Sequence, residues 1–270
     1  MIKLKIGMLG LGMICEPQSL SEMVETRYEA YLDNGNPQYL LNIKWEEPDS
    51  ALINPGGTID HVEGRYYQSV YVISDPNYAA TIDPTASSAE LRFRSARPVE
   101  DVDYFFRLVI SHGFLQTGGF LFHSAGIVRN ENAYLLFGKS GSGKTTAARH
   151  ARGGAILSDD LVGVSPTREG IMAYSTPFWN PGWERQTNMK AGVAGFYRLV
   201  KSHEIALEPM RGSIAVSEIL SSIPVVPQNE KYCTQLISTI QNMVAQVGAY
   251  YLHLRRDDAY WSVLTPGESA

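Results

Sequence analysis

The segment GKSGSGKT, Gly138 to Thr145, constrains this chain more than any other stretch of it. It fills every fixed position of the G-x-x-x-x-G-K-[ST] phosphate-loop pattern. Such a loop needs a strand to deliver it and a helix to receive it. The apolar run AYLLFG precedes it, and TTAARHARGG, long enough for about two or three helical turns, follows. Gly138, Gly141 and Gly143 let the backbone curl without Cβ clashes, so that successive amide N–H groups can face phosphate oxygens. A helix starting near Lys144 would add partial positive charge there. The expected ligand is a nucleoside triphosphate, with ATP and Mg²⁺ as cofactors. It is expected to be held by Gly138, Ser140, Gly141, Ser142, Gly143, Lys144, Thr145 and Thr146. Lys144 is placed to reach the β- and γ-phosphates, and the Thr145 hydroxyl to meet Mg²⁺.

Fifteen positions after Lys144, Asp159 and Asp160 follow the apolar run Ala155-Ile156-Leu157. This is a Walker B-like placement at a strand end. Side chains alternate along a strand, so neighbouring carboxylates face different ways. One can then meet a metal while the other meets an incoming hydroxyl and takes its proton. Taken alone, such a pair more often caps a turn; its closeness in sequence to the loop reverses that preference. His123, opening HSAGIV, is either a hydrogen-bonded core histidine or a support for this site.

The rest of the chain supplies a frame. Residues 1–97 read as β-rich: IKLKIGML, QYLLNIKW, YYQSVYVI and AELRFRSA alternate with turn-forming DNGNP, NPGG and SDPN. A helix around Ser21 to Leu32 interrupts them. Gly7, Gly10 and Gly12 fall as GxxGxG, the wrong order for a dinucleotide fingerprint, and suit a strand with tight turns. Asp101 or Asp103 is expected to cap a helix reaching Leu115, opening a second domain over residues 98–270. GFLFHSAGIV and AYLLFG form a hairpin, and IMAYST and AGFYRLVKS form strands. Helices are expected at Ser213 to Ser222 and Lys231 to Val247, and a closing hairpin joins YYLHL to YWSVL. Between them, PFWNPGW is a loop whose Phe178, Trp179 and Trp183 either cover a ligand or anchor it to the core.

A net charge of -5 and a pI near 5.7 argue against general binding to nucleic acid or anionic membrane. No run reaches about 18 apolar residues, the length that a membrane span needs. Cys15 and Cys233 lack zinc or disulfide spacing. They read as buried thiols of a cytoplasmic protein.

The stretch from Gly119 to Val164, with FHSAGIV, LLFGKSGSGKTT and ILSDDLVGV in that order, resembles the kinase domain of HPr kinase/phosphorylase and its relatives. That core is about a sixth of the chain. The resemblance implies an α/β (mixed α+β) fold: a phosphoenolpyruvate carboxykinase-like P-loop kinase core with a β-rich N-terminal region. It implies that Asp159 is the general base toward an acceptor serine, Asp160 joins Thr145 in holding Mg²⁺, Lys144 acts on the phosphates and His123 supports the site. Asp159 and Asp160 can exchange these roles. A glycine-rich, glutamate-containing signature follows the core in bifunctional members; here MAYSTPFWNPGWE stands roughly in its place, and Glu184 either replaces the missing carboxylate or leaves it unreplaced. The expected activity is transfer of the γ-phosphoryl group to a hydroxyl of a small protein or peptide, or of free serine or another metabolite. A nucleotide-gated peptide-binding module and a simple NTPase are the alternatives. A homo-oligomer is compatible with any of them.

Overall fold

In β3 (Tyr39–Glu46), Tyr39, Leu41 and Ile43 are buried while Leu40, Asn42 and Lys44 are exposed, the period-two pattern of a strand with one covered face. The same alternation recurs in Tyr78–Asp83 and Ser88–Arg94. The computed structural model describes residues 1–47, 59, 62–151, 154–180, 187–226, 230–255 and 259–264. It is mixed α/β, with two mixed sheets and few helices. The chain divides into two compact units, Met1–Thr117 and Gly118–Ala270.

The first unit opens with a hairpin of β1 (Ile2–Ile6) and β2 (Leu9–Glu16), turned at Gly7 with a φ of 60°. After α1 (Gln18–Arg27) come β3, β4 (Gly64–Tyr67), β5 (Val70–Asp75), β6 (Tyr78–Asp83) and β7 (Ser88–Arg94). The strand order is β1-β2-β3-β7-β6-β5-β4, with β2, β3 and β7 parallel. The first helix starts three residues before Ser21, directly after Pro17, and gives way at Glu29–Tyr31 to a 3₁₀ turn.

Helix α2 (Pro98–Gln116) corrects two expectations. Pro98 occupies its first turn and Arg97 its N-cap position, with no side-chain cap. The two acids serve elsewhere. Asp101 Oδ1 accepts from Ile59 N at 2.7 Å, and Asp103 Oδ2 accepts from the Arg27 guanidinium at 2.8 Å. These bonds, and the close packing of Gly113 on Leu9, make α2 part of the first unit. The boundary therefore falls at Thr117–Gly118 and not after residue 97.

The second unit begins with β8 (Phe120–Arg129) and β9 (Asn132–Phe137). They form the expected hairpin, turned at Asn130 and Glu131 with φ of 49° and 63°, the double left-handed geometry of a type I′ turn. There follow α3 (Lys144–Arg149), β10 (Ala155–Ser158), β11 (Leu161–Thr167), β12 (Gly170–Tyr174), β13 (Lys190–Lys201) and β14 (Ala206–Pro209). The unit closes with α4 (Gly212–Leu220), α5 (Glu230–Val247), β15 (Ala249–Leu254) and α6 (Trp261–Leu264).

Strand β8 pairs with β9 along Ser124–Arg129 and with β11 along Phe120–His123. Since β9 pairs with β13, β13 with β12 and β12 with β11, five strands close a ring of hydrogen-bonded neighbours. Strand β10 continues the β11 side of β8, and β15 and β14 extend β13.

One apolar cluster joins Leu136, Tyr197, Leu199 and Leu252 to Ala147 and Ala148 of α3 and to Tyr260 and Trp261. Tyr260 and Trp261 thus end the chain's core as a helical turn, not as the second strand of a hairpin. The Tyr260 hydroxyl donates to Ala147 O at 3.0 Å, so packing on α3 overrides the strand preference of YWSVL. Phe122 meets Phe196 edge-on and Phe137 at a tilt. Cys15 is buried and Cys233 half-buried, both as free thiols.

Candidate phosphate site

Strand β9 ends at Phe137 and the loop follows at once. Its glycines take left-handed backbone angles, with φ of 142° at Gly138, 75° at Gly141 and 107° at Gly143. Only glycine takes such angles without strain. A Cβ on Gly138 would also come within 3.1 Å of Ser142 Oγ. Ser142 N donates to Lys139 O at 3.0 Å, tightening the curl, and Ser142 Oγ is buried without a hydrogen-bond partner. Ser140 and Thr146 are exposed and Thr145 half-buried. Helix α3 has six residues, shorter than the expected two or three turns.

Lys144 is 8% exposed, and its ammonium donates to Gly138 O at 2.8 Å. Burial holds its pKa below the ordinary lysine value, against the opposing pull of the negative charges of Asp160 and, less strongly, Asp159. The lysine therefore lies in the field of both acids. That juxtaposition links the loop to the bend between β10 and β11.

The bend is built by Ser158. Its Oγ accepts from Asp160 N at 3.0 Å and Leu161 N at 3.1 Å, and donates to Phe178 O at 2.6 Å. A serine closing a turn on the next backbone amides is a local motif that SDD can encode. Ser124 of β8 registers with Phe137 on one side, and its N–H donates to Asp160 O at 3.0 Å on the other. One residue of β8 thus lies between the root of the glycine-rich loop and the acidic pair.

The two acids lie in the bend and not within a strand, and their surroundings differ. Asp160 is 9% exposed, with Oδ1 at 3.3 Å from His123 Nδ1. His123 lies within β8 rather than opening a strand, and its N–H donates to Ser222 O after α4. Asp159 is fully buried; Oδ1 accepts from Asn180 N at 2.9 Å and Oδ2 from Asn180 Nδ2 at 3.0 Å.

Asn180 belongs to the aromatic loop, of which Phe178 is fully buried and Trp179 is 8% exposed. Trp179 Nε1 donates to Thr176 O at 2.7 Å. These two aromatics anchor the loop to the core. Trp183 and Glu184 lie outside the described residues.

A cavity of about 640 Å³ opens beside the loop, within the size range of small-molecule sites. Thr146 and His150 of the α3 segment line one side, and Lys201, His203, Leu254 and Arg255 from the ends of β13 and β15 line the other. Sequence reasoning missed Asn180, Ser158, Ser124 and this second wall. No group of three His, Cys, Asp or Glu side chains gathers among the described residues. A Mg²⁺ held largely by phosphate oxygens and water needs none. No described helix is long and apolar enough to cross a membrane. No protein-family model and no curated protein matches the chain.

Proposed function

We propose that this chain is a Mg²⁺-dependent kinase that moves the γ-phosphoryl group of ATP to a hydroxyl, first among candidates the serine of a small protein or peptide. Its fold on this reading is of the HPr-kinase and phosphoenolpyruvate carboxykinase kind. The observation that carries the reading is the buried Lys144 ammonium, bonded to a loop carbonyl in a glycine-opened curl and lying in the field of Asp160 and Asp159.

Lys144 exchanges its bond to Gly138 O for oxygens of the β- and γ-phosphates, and the loop amides with Ser142 Oγ take the remaining oxygens. The nucleoside end lies in the cavity between α3 and the ends of β13 and β15. The Thr145 hydroxyl and Asp160 offer hard oxygen donors, which suit Mg²⁺. When bound there, Mg²⁺ neutralises charge on the phosphates. His123 orients Asp160. Asp159 orients the acceptor O–H and takes its proton as the acceptor oxygen bonds to the γ-phosphorus and the bond to the ADP oxygen breaks.

A second reading is a nucleotide-gated peptide-binding module. Its support is that residues 1–117 form a self-contained unit holding none of the phosphate machinery.

Incubation with γ-labelled ATP, Mg²⁺ and a peptide library or lysate tests both. Label is expected on a hydroxyl of a peptide or protein, and no transfer with Lys144→Met. Label only on a small molecule narrows the acceptor class, and label found only as free phosphate rules the kinase reading out.

A further inference from the structure

The proton acceptor of the proposed reaction is gripped by a residue outside every motif in the chain. Asp159 is fully buried, and its two carboxylate oxygens are each engaged by a different donor of one residue, Asn180. The main-chain N–H takes Oδ1 at 2.9 Å and the side-chain Nδ2 takes Oδ2 at 3.0 Å. A carboxylate turns easily about its terminal torsion when nothing holds it. Held at both oxygens, it cannot turn without losing one bond. Each oxygen keeps a further lone-pair direction for an incoming O–H.

The grip is itself fixed. Phe178 O accepts from Ser158 Oγ, the same atom that shapes the turn carrying both acids. Thr176 Oγ1 donates to Leu161 O and accepts from Phe178 N at 3.3 Å. The segment that presents Asn180 is therefore tied to the bend on which Asp159 rides, and neither can shift without the other. Asn180 is exposed, so the grip lies at the solvent side of the site. Asparagine suits the place, because an aspartate there would set like charge against Asp159 and supply no side-chain donor.

We propose that Asn180 is a positioning residue that fixes the plane of the Asp159 carboxylate for the acceptor hydroxyl. The proposal rests on the kinase reading. Small misplacement of a reacting group costs about 10²-fold in rate, so losing one of the two bonds should be felt in turnover and not in nucleotide affinity.

The test is a double-mutant cycle on the full chain, read by single-turnover transfer from labelled ATP. Asn180→Ala keeps the main-chain bond and is expected to lower kcat by about 10-fold or more, with the KM for ATP within about two-fold. In an Asp159→Asn background the same change is expected to lower turnover no further, because Asn180 acts through Asp159. Should Asn180→Ala fail to fold, Asn180→Leu, close in size, uncharged and without a side-chain donor, carries the same expectation. Wild-type-like turnover in the single variant, or equal losses in both backgrounds, overturns the positioning role and leaves the kinase reading standing. A wild-type chain that transfers no label removes both.

Discussion

Asp101, Asp103 and His112 of the first unit have their polar atoms engaged by protein partners, while Ser142 of the glycine-rich loop in the second unit keeps a buried hydroxyl without a hydrogen-bond partner. In residues 1–117, Asp101 accepts from Ile59 N and from the Tyr78 hydroxyl, and Asp103 from Arg27 and Tyr28. His112 spans Leu108 O at 2.7 Å and the Tyr66 hydroxyl at 2.8 Å. In the second unit, Ser142 Oγ is buried without a partner, three glycines hold amides in a curl, and a buried ammonium donates to Gly138 O. Closing a buried polar group stabilises a fold, and leaving one open costs stability unless a ligand closes it. The first arrangement serves folding; the second fits a ligand.

Substitutions in the two sets should therefore fail differently. Asp159→Asn is expected to cut turnover by ~10²–10⁴-fold while ATP binding, followed by calorimetry, stays within a few-fold. Unchanged turnover would take Asp159 out of the reaction. Asp101→Ala, which leaves Ile59 N without its acceptor, is expected to cost about 1–3 kcal/mol in urea unfolding, with turnover per folded molecule unchanged. A loss of turnover without a loss of stability there would break the contrast.

The smallest effect belongs to His112, whose pKa burial lowers below its ordinary value. The unfolded chain then binds the extra proton more readily than the folded one. Stability is complete above about pH 6.5 and is lost as pH falls from there toward the folded value. His112→Gln is expected to flatten the decline of Tm over that window, measured by thermal unfolding from pH 5 to 8. An unaltered slope would show that the imidazole is not the group responsible.

The loop and its acids were legible because their signals are local: glycine spacing, an apolar strand before, an acidic pair after the next apolar run. The β8–β9 hairpin was legible for the same reason. Asn180 was not, because its role depends on a segment 20 positions downstream folding back over the bend; its one sequence mark is the turn-favouring Asn-Pro step. The far wall of the cavity was hidden in a parallel register, Lys201 opposite Leu254, that no local pattern specifies. Helix α2 was legible as a helix, but its membership of the first unit depends on Arg27, Tyr28 and Leu9, remote in sequence. The last turn misled because aromatic and β-branched residues favour strands until a packing surface decides otherwise.

Ser124 has a mechanical consequence. Neighbouring strands run about 4.8 Å apart, so a single strand's width on either side of β8 sets the span between the lysine's loop and the carboxylates. That span behaves as a fixed gauge. Strand pairing on both sides of β8, and not a hinge, sets it.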